Sequence, residues 1–294
     1  AQRWARVSAD YVGLRSRPSP DGKFLGFLYY DDVVPVYRDV VGQGWFPHNH
    51  VWFETPDGLV YSASMQPVEN VLNKPTPIIP SHGLFGEVSV PYTDARITPN
   101  SDGEIAYRLY YAGVFLVDRA VKASDGEWWY HIKDDAGHIL WIDAQALRLL
   151  APEDIEPLSP DVEDKHIQVN LEHQILSAFE GRSEVFRTSI SSGRGYIQDG
   201  QWVQAQSPPT TSSPIWSKRV TRHMEGGTAD TGWDLPGVGW VAYFASNGAA
   251  IHATYWHNHF GRAQSAGCIN CTPEAARWVF RWSTPIVDYV PGNV

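Results

Sequence analysis

The sequence predicts a mainly β protein built from two small β-barrels and a larger β-rich domain that carries one helix. Three observations lead there. Short β-branched or aromatic runs alternate with Gly, Pro, Asp and Ser clusters through the first 150 residues. That pattern repeats weakly once, the mark of an internal duplication. After an acidic, proline-bearing stretch at 151–160, strand-like runs resume and one clear helix start appears near the C-terminus. With 294 residues the chain has room for two or three domains.

Composition excludes several classes. Hydrophobic residues make up 43% and charged residues 19%, which rules out a disordered chain. No apolar run approaches the roughly 18 residues that a membrane span needs. The net charge is −10, of which −8 falls on residues 1–159 and −2 on the rest, so no basic footprint for nucleic acid exists. The chain opens on Ala1-Gln2-Arg3 with neither an initiating Met nor an apolar targeting segment, which leaves room for a processed export signal. Trp, Tyr and Phe total 38, a richness typical of small β modules and of carbohydrate- or peptide-binding surfaces. On small barrels such aromatic stripes serve the core more often than a ligand.

The first module is expected over 1–75. Tyr11-Val-Gly-Leu-Arg-Ser-Arg17 alternates, Pro18-Ser-Pro-Asp-Gly22 turns, and Phe24 to Tyr30 and Val33 to Tyr37 are strand-like. Asn73-Lys-Pro-Thr-Pro-Ile-Ile-Pro80 reads as a stiff connector. The second module, 86–150, repeats the order: Glu87 to Val90, a turn through Pro99 to Gly103, paired runs at Tyr107 to Tyr111 and Val114 to Val117, then Trp128 to Ile132 and His138 to Ile142. Ala151 to Pro160 is the expected linker, and the third domain occupies 162–294. Within it, strands are expected at His166 to Asn170, Gln174 to Phe179, Val185 to Ile190, Ile215-Trp216 and Trp240 to Phe244. Thr272-Pro273-Glu274 is the helix start: Thr as N-cap, Pro at the first helical position and Glu in the first turn, with the helix running to Trp282.

The chemistry concentrates in residues 251–271. The only two cysteines, Cys268 and Cys271, lie just before that helix, and His252 sits sixteen residues upstream of Cys268 on an apolar strand. A thiol near a helix N-terminus and an imidazole has its thiolate favoured. Gly267 permits a tight backbone that aims N–H groups at an oxyanion. Cys plus His is the minimum for acyl transfer through a thioester. A rival reading is metal: His257, His259, Cys268 and Cys271 are four good zinc ligands. A second is a dithiol redox pair, though the surrounding βαβ pattern is missing. The other histidines, His48, His50, His82, His131, His138, His166 and His173, have no partners at catalytic spacing and read as surface or satisfied groups. Cys271 reads as a small buried hydrophobe.

Two resemblances sharpen this. Tyr11 to Pro18 resembles the opening of bacterial SH3-type domains, which implies SH3-like barrels for both leading modules. Ile251-His252-Ala-Thr with Ser265-Ala-Gly-Cys-Ile-Asn270 resembles the signature of the YkuD-type L,D-transpeptidases, and the likeness extends over 164–290. It implies that Cys268 attacks a peptide carbonyl and that His252 acts as base, with Gly267 and Cys268 N–H groups as oxyanion donors and Ser265 and Asn270 holding the loop. It also implies a peptidoglycan stem peptide as substrate, D-Ala as leaving group, an extracytoplasmic setting in wall assembly and cell shape, acylation by carbapenem-type inhibitors, and no cofactor or metal. Arg219, Arg222 and His223 are candidates to hold a substrate carboxylate, and Tyr243, Tyr255 and Trp256 to wall a groove. Two departures stand out. The family's His before Gly-Cys is Ala266 here, and its Thr-Pro-Thr-Gly turn survives only as Thr210-Thr-Ser-Ser213. A non-catalytic wall-binding protein with a degenerate third domain is the alternative those departures leave.

Overall fold

The computed structural model describes residues 3–194, 196–198, 201–203, 213–226 and 232–287. The protein is mainly β, and among these residues Pro273–Trp282 is the one α-helix, as its capping residues predict. The chain divides into two compact units. One comprises residues 1–69, 162–211 and 254–272; the other comprises 70–161, 212–253 and 273–294. Each leading module therefore shares a unit with part of the third expected domain.

In the first unit, strands Val33–Val36, Arg3–Val7 and Met65–Val68 form one antiparallel sheet. Phe24–Tyr29, Tyr11–Arg15, Gly58–Tyr61, Asn49–Thr55 and Arg38–Phe46 form a second, in that order. The alternation read in Tyr11–Arg15 is real: Val12 and Leu14 point inward and pack with Ala5, Val7, Val36, Phe53, Val60 and Met65. Arg6 is 1% exposed, and its charge is met by Asp31 at 2.9 Å and by Gln66 Oε1 at 2.8 Å. Lys165–Asn170, Ile175–Glu180 and Ser183–Ser189 make a further three-stranded meander, close to expectation. Its core side includes Leu176 and Ala178, both fully buried.

In the second unit, residues 84–149 form a seven-stranded antiparallel sheet around Val88, Leu109, Phe115, Val117, Tyr130, Ile132, Ile142 and Leu147. The proline-rich connector lies against it: Asn73 N–H donates to Gln145 O at 2.8 Å, and Thr76 N–H to the Tyr130 hydroxyl at 2.7 Å. The acidic stretch at 151–160 is likewise anchored and not a free hinge. Asp154 accepts from Arg148 at 2.9 Å and pairs with Arg277, Leu158 N–H donates to Arg281 O, and Arg281 Nε donates to Glu156 O at 2.8 Å.

Strands Ser217–Gly226 and Trp233–Tyr243 pair antiparallel, and Ala250–Ala253 continues from the second of them. The strand expected at Ile215-Trp216 lies instead at Ser217–Gly226, where three of the inward side chains, Lys218, Thr221 and His223, are polar. Lys218 is 9% exposed and donates to the Phe280 and Ser283 carbonyls at 2.6 Å each, so the C-terminal end of the helix is capped by a buried cation. Thr221 donates to Val114 O at 2.5 Å. Gly237 has φ +70° and lies so close to the Phe115 ring that a Cβ would stand 2.3 Å from it. The helix packs its Phe280 edge-on to Trp240, with Arg277 over the same indole.

Candidate functional site

In the second unit, His252 lies on Ala250–Ala253, an apolar and wholly buried strand, and is itself 3% exposed. Its Nδ1 donates to Ala253 O at 2.8 Å. That bond places the proton of the neutral ring on Nδ1 and the lone pair on Nε2.

In the first unit, Cys268 is half-buried and free of disulfide, whereas Cys271, on Ile269–Cys271, is fully buried. Burial pushes the Cys271 thiol up to about 12, which keeps it protonated. The Cys268 loop is tied to its own backbone and to a neighbouring segment. Ser265 Oγ donates to Cys268 O at 2.6 Å and accepts Gly267 N–H at 3.1 Å. Ser265 N–H donates to Ser192 O, and Asn270 exchanges both backbone bonds with Ser191 at 2.9 Å. Gln174, 4% exposed, fixes that neighbour through bonds of 2.7 Å with both Ser192 Oγ and Ser192 N–H. Gly267 has φ +144°, a conformation that favours glycine.

The chain between His252 and Cys268 is held by the first module. Arg6 Nη2 donates to Tyr255 O at 2.9 Å, and Asn258 Nδ2 to Ser62 O at 3.0 Å. His259 lies edge-on to Phe46, over which Arg262 stacks at 4.4 Å. Burial, followed by the Arg262 charge, lowers the pKa of both His259 and His48 and so keeps them neutral.

Several expectations need correction. Gly267 N–H is engaged by Ser265 Oγ, so it does not fit the role of oxyanion donor. Arg222 is paired with Asp135, and His223, with a side chain 1% exposed, is bonded to Asp134 at 2.6 Å and Asp234 at 2.5 Å. His223 is thus enclosed between two carboxylates, while Arg222 is engaged through one guanidinium nitrogen. Burial alone would lower the His223 pKa, but the two carboxylates outweigh it and the net direction is up. Arg219 is half-buried and no carboxylate pairs with it among the described residues. Tyr255 is 5% exposed, an interior ring set edge-on to the half-buried Trp256. Tyr243 is half-buried beside Trp216. The zinc quartet does not assemble: His257 accepts His259 N–H at Nδ1 and meets the Asn270 amide at Nε2, and Cys271 is sealed in the core. Residues 210–212 of the expected turn lie outside the described residues. Ser191, Ser192 and Gln174 escaped sequence reasoning because nothing in their own pattern points to the Cys268 loop.

Fold and loop together define a β-rich domain whose thiol sits on a Ser-x-Gly-Cys-x-Asn loop just ahead of a helix. Residues 164–288 match the sequence model of the YkuD family, the L,D-transpeptidase catalytic domain. Similar solved structures include an Ldtfm–avibactam carbamoyl enzyme (25% identity, TM-score 0.33) and an Enterococcus faecium L,D-transpeptidase (26%, TM-score 0.31). Each alignment covers 41% of this chain and 46% of the other, so this chain spans about half the length of either. An L,D-transpeptidase from Xylanimonas cellulosilytica aligns at 22% identity over 49% of this chain and 70% of its own, with a TM-score of 0.31. No curated protein matches the chain.

Proposed function

We propose that the protein is an extracytoplasmic cysteine L,D-transpeptidase acting on peptidoglycan stem peptides. The observation that carries this reading is the Cys268 loop: within a YkuD segment, one thiol is half-buried on a loop fixed by Ser265, and the other is sealed in the core. His252 Nε2 takes the Cys268 proton, and the thiolate attacks the carbonyl of the third stem residue. The C–N bond to the terminal D-Ala breaks as the imidazolium returns the proton to its amine, leaving a thioester. An amine of a second stem then attacks the thioester and loses its proton to His252, and the thiolate is regenerated. Cys268 N–H supports the oxyanion, Asn270 and Ser265 hold the loop, and Arg219, then Arg222, are the candidates for a substrate carboxylate. Tyr243 and Trp256 are half-buried and remain candidates to line the donor peptide's path. The family implies no cofactor for this chemistry.

The departure at Ala266 favours the second reading, a wall-binding protein without turnover. Its side chain is exposed, so a His there would have stood at the surface of the loop. The test is release of D-Ala from a disaccharide tetrapeptide in the presence of an acceptor amine, followed by mass spectrometry. Release that stops in Cys268→Ser supports the enzyme. Retention on insoluble peptidoglycan without release in the wild-type protein supports the binding module.

A further inference from the structure

A second cluster of chemically active side chains lies wholly inside the second unit. The turn between strands Trp128–Lys133 and Ile139–Asp143 closes through Gly137 at φ +90°, and brings Asp134 and His138 together. Asp134 Oδ1 accepts the backbone N–H of His138 at 2.8 Å, and its Oδ2 lies 2.9 Å from His138 Nδ1. The same Oδ2 lies 2.6 Å from Nδ1 of His223 on strand Ser217–Gly226. On the far side of that ring, His223 Nε2 meets Asp234 Oδ1 at 2.5 Å, and Tyr107 donates its hydroxyl to Asp234 Oδ2 at 3.1 Å.

Two imidazole nitrogens therefore converge on one carboxylate oxygen. His223 meets a carboxylate through each ring nitrogen, and its Nδ1 shares the Asp134 oxygen with His138 Nδ1. We propose that Asp134, His138 and His223 bind a divalent transition-metal ion, with zinc the best match, through the two Nδ1 atoms and the Asp134 carboxylate. These donor atoms all lie within 4.8 Å of one another, the one such group among the described residues. Two imidazoles and a carboxylate are borderline ligands that suit zinc, whereas calcium and magnesium demand shells of oxygen. Bonds of about 2.0 Å in a tetrahedron need donors about 3.3 Å apart. Opening the 2.6 Å and 2.9 Å contacts to that spacing takes roughly 0.7 and 0.4 Å, and the turn that carries both Asp134 and His138, whose side chain is 39% exposed, is where the movement falls. The same exposure opens the fourth position to water. Asp234 plays the part that carboxylates play behind metal-bound histidines, fixing the tautomer and ring plane of His223. The ion would staple the second module's hairpin to the strand that carries Lys218 and Arg219.

The test uses the full chain, stripped of metal by chelator dialysis and titrated with Zn²⁺ by calorimetry, with Co²⁺ absorbance as a readout of geometry. Wild-type protein and Cys268→Ser should each take up one equivalent, with a tetrahedral cobalt spectrum and a raised Tm. His138→Ala, a change on the partly exposed turn, should lose the uptake and the Tm rise while its metal-free Tm stays near that of metal-free wild type. Asp234→Asn should weaken binding about 10–100-fold. Uptake that persists in His138→Ala and Asp134→Asn, uptake that vanishes in Cys268→Ser, or no uptake by wild type would each overturn the proposal and leave a proton-bridged Asp–His–Asp network.

Discussion

Cys268 and Cys271 stand three residues apart and in opposite surroundings. The first ends a loop whose backbone is pinned by Ser265 and relaxed by Gly267, and the residue is half-buried. The second ends strand Ile269–Cys271, fully enclosed, with burial alone pushing its thiol to about 12. Identical side chains thus become a candidate nucleophile and a piece of core. Spacing alone allowed them to be a metal pair or a dithiol; environment separates them.

The widest separation to test is reactivity. An aromatic disulfide reagent should modify one thiol in the native protein and two after denaturation, and Cys268→Ser should leave the native protein unreactive. Two fast thiols in the native state would break the contrast. Next comes the loop lock. Ser265→Ala removes both the bond to Cys268 O and the acceptor for Gly267 N–H, and displacement of the nucleophile should cost up to about 10²-fold in kcat with little change in Tm. A loss of the same size in fold stability would instead make Ser265 structural. Cys271→Ser buries a hydroxyl without a partner and should cost about 1–3 kcal/mol in denaturant unfolding, with thioester formation retained.

Acid should act on the first unit through His48 and His259. Their folded pKa values lie below the ordinary 6.5, so the unfolded chain takes up protons first. Stability is full above about pH 6.5 and falls as pH drops from there through the lowered folded values. Arg262→Gln removes a cation that contributes to both shifts and should flatten the Tm profile in that window; an unchanged profile would remove Arg262 from the account. The smallest effect is expected at Ala266. Placing His on this exposed position should alter stability by less than about 0.5 kcal/mol and turnover by less than about tenfold. A larger gain would show that His252 alone is an incomplete base.

The helix at Pro273–Trp282 was legible because its start is local: Thr272, Pro273 and Glu274 encode it within three residues. The strands Tyr11–Arg15 and Phe24–Tyr29 were legible by alternation and turn chemistry. Strand Ser217–Gly226 was not, since Lys218, Thr221 and His223 occupy inward positions that a hydrophobic pattern assigns to Val or Ile. Their burial is supported by the helix C-terminus, the Val114 carbonyl and two aspartates, partners that sequence spacing cannot announce. The same limit applies to the loop. Ser265, Gly267 and Asn270 were visible as a motif, while Gln174 and Ser192, which brace it, lie about ninety and seventy residues away. Spacing read His138 as a surface or satisfied group; the fold sets it against Asp134 and, through that carboxylate, His223.

The central claim is that Cys268 is the acylated nucleophile. Intact-mass measurement after incubation with a carbapenem, followed by peptide mapping, addresses it directly. One covalent adduct per chain, located on the peptide containing Cys268 and absent in Cys268→Ser, is the predicted result. An unmodified wild-type protein, or an adduct that survives in Cys268→Ser, would contradict it.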